Sequence, residues 1–166
     1  MQTRDDWSWL AGTYWYCPAA CMPALRTLPR NRFEAVIDQT VWGVTGYADG
    51  YFWGVASALV TPRGEAPDPS QKNDMTFYAS VTPQGRVQIA FVHGDGSTTI
   101  GTGEITTEDE PRFLMQMSTG GRSMVVHWAY MDRVTPDDPQ WRHLPGAGVS
   151  VEAMIGDIEA PVVVRQ

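Results

Sequence analysis

Apolar and polar positions alternate through most of this chain, and long helical periodicity is almost absent. Short runs rich in Val, Ile, Thr, Tyr, Phe and Trp are punctuated by Gly, Pro and Asp, the pattern of an all-β sandwich or barrel. The first run is Gly12 to Cys17. Pro18, Pro23 and Pro29 follow, and proline has no N–H to give to a strand ladder. Pro18 to Arg30 is therefore expected as a loop, with room for a short helical turn at Ala24 to Leu28. Phe33 to Gly46 is a long extended run, and Ala48-Asp49-Gly50 makes a hairpin turn that sends Tyr51 to Thr61 back antiparallel to it. Trp42 and Trp53 flank that turn at comparable distances, which predicts proximity across the hairpin.

Pro62 to Asp74, with three prolines, Gly64 and several charges, reads as a long exposed loop. Met75 to Thr82 and Arg86 to His93 form a hairpin around Pro83-Gln84-Gly85, and Gly94-Asp95-Gly96 leads into Ser97 to Thr106. Arg112 to Thr119 and Ser123 to Val134 form another around Gly120-Gly121. Consecutive hairpins make an up-and-down meander, and about eight strands close into a barrel without exposed edges. The predicted fold is all-β: one antiparallel up-and-down β-barrel domain over residues 1–166, with little helix. Beyond Thr135, prolines and glycines make a loop that carries Trp141 and His143. Val149 to Ile158 reads equally as a last strand or a short helix.

Residues i and i+2 of a strand share a face. Met75, Phe77, Ala79 and Val81 form one such face, Val87, Ile89 and Phe91 another, and Phe113, Met115 and Met117 a third. An eight-stranded barrel is wide enough to be filled by these side chains or to hold one small ligand. The strand from Tyr51 places Phe52, Gly54, Ala56, Ala58 and Val60 on one face, and small residues leave space if that face points inward. The residues expected to meet a ligand are Trp15, Thr40, Trp42, Tyr51, Trp53, Phe77, Phe91, Met115, Met117 and Tyr130.

Polar residues inside otherwise apolar strands are the outliers, because burial without a partner costs roughly 1–3 kcal/mol. Glu34, Val36, Asp38, Thr40 and Trp42 share a face, and Asp38-Gln39-Thr40 is a polar patch in mid-strand. His127 is flanked by Val125, Val126 and Trp128. An interior Asp or His whose pKa is moved toward neutrality can act as general acid or base, so Asp38 and His127 are the candidate catalytic pair. Met124, Val126, Trp128 and Tyr130 form the more apolar face of their strand. If that face is inside, His127 is outside and the pairing fails.

Composition narrows the partners. The 166 residues are 43% hydrophobic and 19% charged, an ordinary globular balance, with a formal net charge of -7. Lys72 is the single lysine and the arginines are scattered, so no basic stripe exists for nucleic acid, and a polyanionic substrate is repelled. Met1 to Trp9 carries Arg4, Asp5 and Asp6 and has no apolar run, so it does not read as a secretory signal. No stretch approaches the roughly 20 apolar residues of a membrane span, and the expected location is the cytoplasm. Cys17 and Cys21 lack redox-motif spacing, and His93, His127 and His143 lack metal spacing. Two free thiols are expected, no metal and no cofactor. Nucleophile-elbow, Walker, dinucleotide and His-Glu-x-x-His motifs are missing.

At Gly12-Thr13-Tyr14-Trp15-Tyr16, preceded by Trp9-Leu10-Ala11, the chain resembles the first strand of calycin-type barrels, the lipocalins, avidins and related bacterial barrels. Tyr14 stands where those barrels carry tryptophan, and Trp15 comes one residue late. The resemblance implies a ligand in the barrel mouth, Pro18 to Arg30 as a lid, and Arg133 covering the first-strand aromatic. Two functions follow from these readings: a barrel that binds a small hydrophobic or aromatic molecule, or a cofactor-free cyclase, isomerase or lyase using Asp38 and His127. A third is an oligomeric protein, such as a homodimer, whose surface aromatics form the interface. An ionisable side chain inside a cavity favours the enzyme, and a wholly apolar lining the carrier.

Overall fold

The computed structural model describes residues 4–121 and 123–164. Residues 1–3 and the side chains of 4–6, on which the reading of the charged start partly rests, lie outside that description. The strands are β1 (Tyr14–Tyr16), β2 (Pro23–Leu28), β3 (Arg32–Ala48), β4 (Tyr51–Pro62), β5 (Asn73–Val81), β6 (Arg86–His93), β7 (Thr98–Thr106), β8 (Arg112–Thr119) and β9 (Val125–Val134). Each pairs antiparallel with its neighbours, and β1 and β2 both lie between β3 and β9. These two segments share one position in the wall, so nine segments build a closed eight-stranded up-and-down barrel.

That shared position corrects the expectation of a loop, or of a helical turn at Ala24 to Leu28, over Pro18 to Arg30. Pro23 opens β2, where a missing N–H costs least, and Leu25 faces Val126 and Arg26 faces Val125 in register. Between β1 and β2 residues 17–22 leave the ladder, with a 3-10 turn at Ala19–Cys21, and residues 29–31 make the turn into β3. Cys17 N donates to Thr40 O and Asp38 N to Met22 O, so the bulge is tied to β3 at both ends. The segment is wall, and the lid implied by the calycin likeness is not there.

The inward faces interlock as alternation demands. Phe52, Phe77, Phe91, Phe113, Trp15 and Trp42 are all buried to within 1% of full, and their rings meet at centroid distances from 4.6 to 6.3 Å. Trp42 faces Ala56 and Trp53 faces Gly46, because the ladder shifts register between Val44 and Gly46. The expected Trp42–Trp53 neighbourhood therefore does not form: one ring points in and the other out. A 3-10 helix, Arg4–Leu10, closes the barrel end where the β5–β6 turn lies, with Trp7 and Leu10 in the core and the Trp7 ring against Gly85.

Outside the barrel the chain resolves into two short helices, α1 (Pro139–Arg142) and α2 (Val151–Ile155). Ser150 caps α2 by accepting from Ala153 N, so the ambiguous stretch Val149 to Ile158 holds a short helix and no strand. Val151, Met154, Ile155, Leu144 and Ala147 pack on Val41, Val55 and Leu59, so β3 and β4 are apolar on both faces. Gln39 pins this cover: its amide donates to Cys17 O at 2.9 Å and accepts from Gly146 N at 2.8 Å. Among the described residues no helix is long and apolar enough to cross a membrane.

Candidate functional site

The end of the barrel away from the Arg4–Leu10 helix opens into a cavity of about 560 Å³. Its floor is made by Met75, Phe91 and Met117, and Ala58 and Val60 form an apolar arc of wall. Deep on another side stand Asp38, Thr40 and His127. The less apolar face of β9 is the inner one: His127, Ala129 and Met131 are buried, whereas Val126 and Trp128 are nearly half exposed. Neighbouring strands decide this, since Met117 is the register partner of His127 and points inward.

Asp38 and His127 therefore meet. His127 Nδ1 lies 3.6 Å from Asp38 Oδ2, a close contact slightly too long for a hydrogen bond. His127 Nε2 is 2.8 Å from the carbonyl oxygen of Cys21, so Nε2 carries a proton and donates it. The residue 17–22 bulge thus sets the tautomer and leaves Nδ1 for Asp38. Thr40 Oγ1 donates to Asp38 Oδ1 at 3.0 Å. Burial pushes the Asp38 carboxyl up, against the opposing pull of His127 and of the Thr40 hydroxyl. One shared proton keeps such a pair net neutral, and the pair then offers an acid and a base side by side.

Cys17 Sγ sits 3.9 Å from His127 Nε2, completing a Cys–His–Asp sequence in space. It is not an activated nucleophile. Its thiol is fully buried, Nε2 is already committed to Cys21 O, and burial followed by the Asp38 charge pushes the thiol above its ordinary range. Both cysteines are free and buried. Iodoacetamide at pH 8 is expected to label neither in the folded protein and both after guanidinium unfolding. Rapid native labelling of Cys17 would contradict this assignment.

A second polar group lines the mouth. His93 Nε2 is 2.8 Å from Thr99 Oγ1, which is 2.9 Å from Thr119 Oγ1. Burial lowers the His93 pKa, partly offset by Asp95. At the rim Arg26 is bound to Glu34. None of His93, Thr99 and Thr119 stood among the expected site residues, yet alternation holds the signal. His93 continues the Val87–Ile89–Phe91 face, and Thr119 continues Phe113–Met115–Met117.

Of the residues expected at a ligand, Thr40, Phe91 and Met117 line the cavity. Trp15, Trp42, Phe77 and Met115 lie in the packed core and do not line it. Tyr51, Trp53 and Tyr130 are on the outer wall, because they alternate with the inward Phe52, Gly54 and Ala129. The small-residue face does point inward, but Gly54 opens no space: a Cβ there would lie 2.8 Å from Phe77 Cζ. Ala58 is the one of those three small residues that borders the cavity. Arg133 stands opposite Trp15 in the β1–β9 register and is exposed. The Trp15 ring packs on Phe113 and Trp9, and its indole N–H donates to Thr13.

Among the described residues no group of three or more His, Cys, Asp or Glu side chains is placed to hold a metal ion. No protein-family model matches the chain, and comparison with curated proteins and with solved structures returns no match.

Proposed function

We propose that this barrel, of calycin type, binds a small, largely apolar molecule in its mouth and performs cofactor-free acid–base chemistry on it. The calycin reading is supported by eight up-and-down staves and a buried tryptophan on the first of them. The ligand reading is supported by a cavity within the usual range for small-molecule sites, with an apolar floor and few polar groups. The single observation that favours an enzyme over a carrier is the Asp38–His127 pair inside that cavity.

The chemistry open to such a pair is proton transfer: one member takes a proton from carbon while the other supplies one to oxygen or to a second carbon. Proton-shift isomerisation, cyclisation through an enolate, and β-elimination with a protonated leaving group all use these two transfers, and a shaped, water-poor cavity contributes the positioning. The test uses 2-acetonaphthone, a neutral enolisable aryl ketone, in D₂O. Equilibrium dialysis measures binding, and mass spectrometry measures deuterium entry at the α-carbon. Binding with saturable acceleration over buffer supports the enzyme. Binding without acceleration leaves a carrier, a reading that the apolar arc of Ala58, Val60, Met75 and Phe91 would then carry. No binding removes both.

A further inference from the structure

We infer that His93, Thr99 and Thr119 form a second ligand subsite near the rim, and that the ligand is a neutral molecule with polar groups at both ends. This rests on the proposed ligand reading, and it adds the substrate class. The chain of hydrogen bonds runs over three strands, from His93 on β6 through Thr99 on β7 to Thr119 on β8. Thr99 is nearly buried, so its hydroxyl is spent on its two neighbours, donating to one and accepting from the other.

The two ends of the chain are not spent. If protons run toward His93, its Nδ1–H remains as a donor and Thr119 keeps a lone pair. If they run toward Thr119, its hydroxyl proton is left to donate and His93 Nδ1 to accept. In either direction one donor and one acceptor are left at the cavity lining, where both residues are partly exposed. A hydroxyl or a carboxamide, which gives and takes a hydrogen bond at once, matches that pair.

Charge argues for a neutral ligand. Among the described lining residues the one arginine, Arg26, is already held by Glu34, Asp38 is paired with His127, and Asp95 adds negative charge. Among the described residues a carboxylate or phosphate would meet no unpaired arginine or lysine there. Geometry sets the length. Thr119 lies two residues rimward of Met117, the register partner of His127, and His93 is the register partner of Met75. A ligand that touches both subsites runs from floor to rim, with its apolar body over Met75 and Phe91.

Matched probes test this: 2-acetonaphthone, with one polar end, and 6-hydroxy-2-acetonaphthone, with two. Equilibrium dialysis should show the hydroxylated probe binding about tenfold tighter to the native protein, the size of one well-made hydrogen bond. Thr99→Val, a near-isosteric change that breaks the chain, should erase that gain, so that the two probes bind alike. His93→Gln, which keeps a donor and an acceptor, should retain it. Thr119→Val, at a half-exposed rim position, repeats the test should Thr99→Val fail to fold. Equal affinities in the native protein, or a gain that survives loss of the chain, overturns the subsite alone. Failure of both probes to bind overturns the ligand reading beneath it.

Discussion

Asp38→Asn is expected to make the folded protein more stable above neutral pH while removing at least about 99% of any proton-transfer activity toward an enolisable ligand. The stability half follows from burial. Asp38 is 7% exposed and its pKa is raised above the ordinary 3.8, chiefly by desolvation. Because the folded value is the higher one, the folded state binds the proton more tightly than the unfolded chain does. Stability from that proton is fully present below pH 3.8, and is lost as pH rises through the folded value. An asparagine keeps the Thr40 hydrogen bond through its carbonyl oxygen and can donate its amide to His127 Nδ1, without a charge to desolvate. The variant should therefore gain about 1 kcal/mol or more at pH 8, seen as a Tm higher by about 2–4 °C. Near pH 4 the two proteins should melt together.

The activity half follows from the same substitution, since an amide neither takes nor gives the proton. Stability and function would then oppose each other at a single residue, as they often do where a site is held in an unfavourable state. Thermal melts across pH 4–8, paired with deuterium exchange into 2-acetonaphthone, separate the outcomes. A variant that melts lower at pH 8 would show that Asp38 is a structural ion-pair partner. Full exchange activity in Asp38→Asn would remove Asp38 as acid or base.

Gly54→Ala is the second large effect, and it concerns the barrel instead of its chemistry. A Cβ at Gly54 would lie 1.9 Å from Gly43 O and 2.8 Å from Phe77 Cζ. The first neighbour is backbone and cannot rotate away, so the β3–β4 ladder must part next to its register shift at Val44 and Gly46. Overpacking of this kind is expected to cost about 3 kcal/mol, lowering Tm by about 10 °C. Urea unfolding should show the midpoint falling with little change in slope. A Tm within a degree or two of the native protein would mean that the strands separate freely there.

Much of this was legible along the chain. Hairpins at Ala48-Asp49-Gly50, Pro83-Gln84-Gly85 and Gly120-Gly121 fall where turn chemistry puts them, because Asp49, Gly50, Gly85 and Gly121 all take positive φ. Arg86–His93 and Arg112–Thr119 are strands over the same residues that alternation marks out. Asp38 and Thr40 share one face, as alternation has it, and the barrel turns that face inward. The β2 wall was hidden because prolines at both ends mask a six-residue pairing that only partners on β3 and β9 stabilise. The second subsite was hidden by its ordinariness: a threonine on a strand carries no mark of whether a histidine lies across the ladder.

By itself the sequence determined the class of fold and the alternation of each strand, since period-two patterning and turn residues act locally. It also singled out Asp38 and His127 as polar residues in apolar company. Which face of β9 turns inward was beyond it, because Met124, Val126, Trp128 and Tyr130 are the more apolar set and yet Val126 and Trp128 stand nearly half in solvent. Closure decided that face: Met117, Ala129 and Met131 must join the Phe and Trp interior, and His127 goes with them. The same closure brings the Cys21 carbonyl, in the bulge between β1 and β2, to Nε2 of His127 on β9, and Asp38 on β3 to its Nδ1. Local pattern chose the candidates, and the long-range register made them a pair.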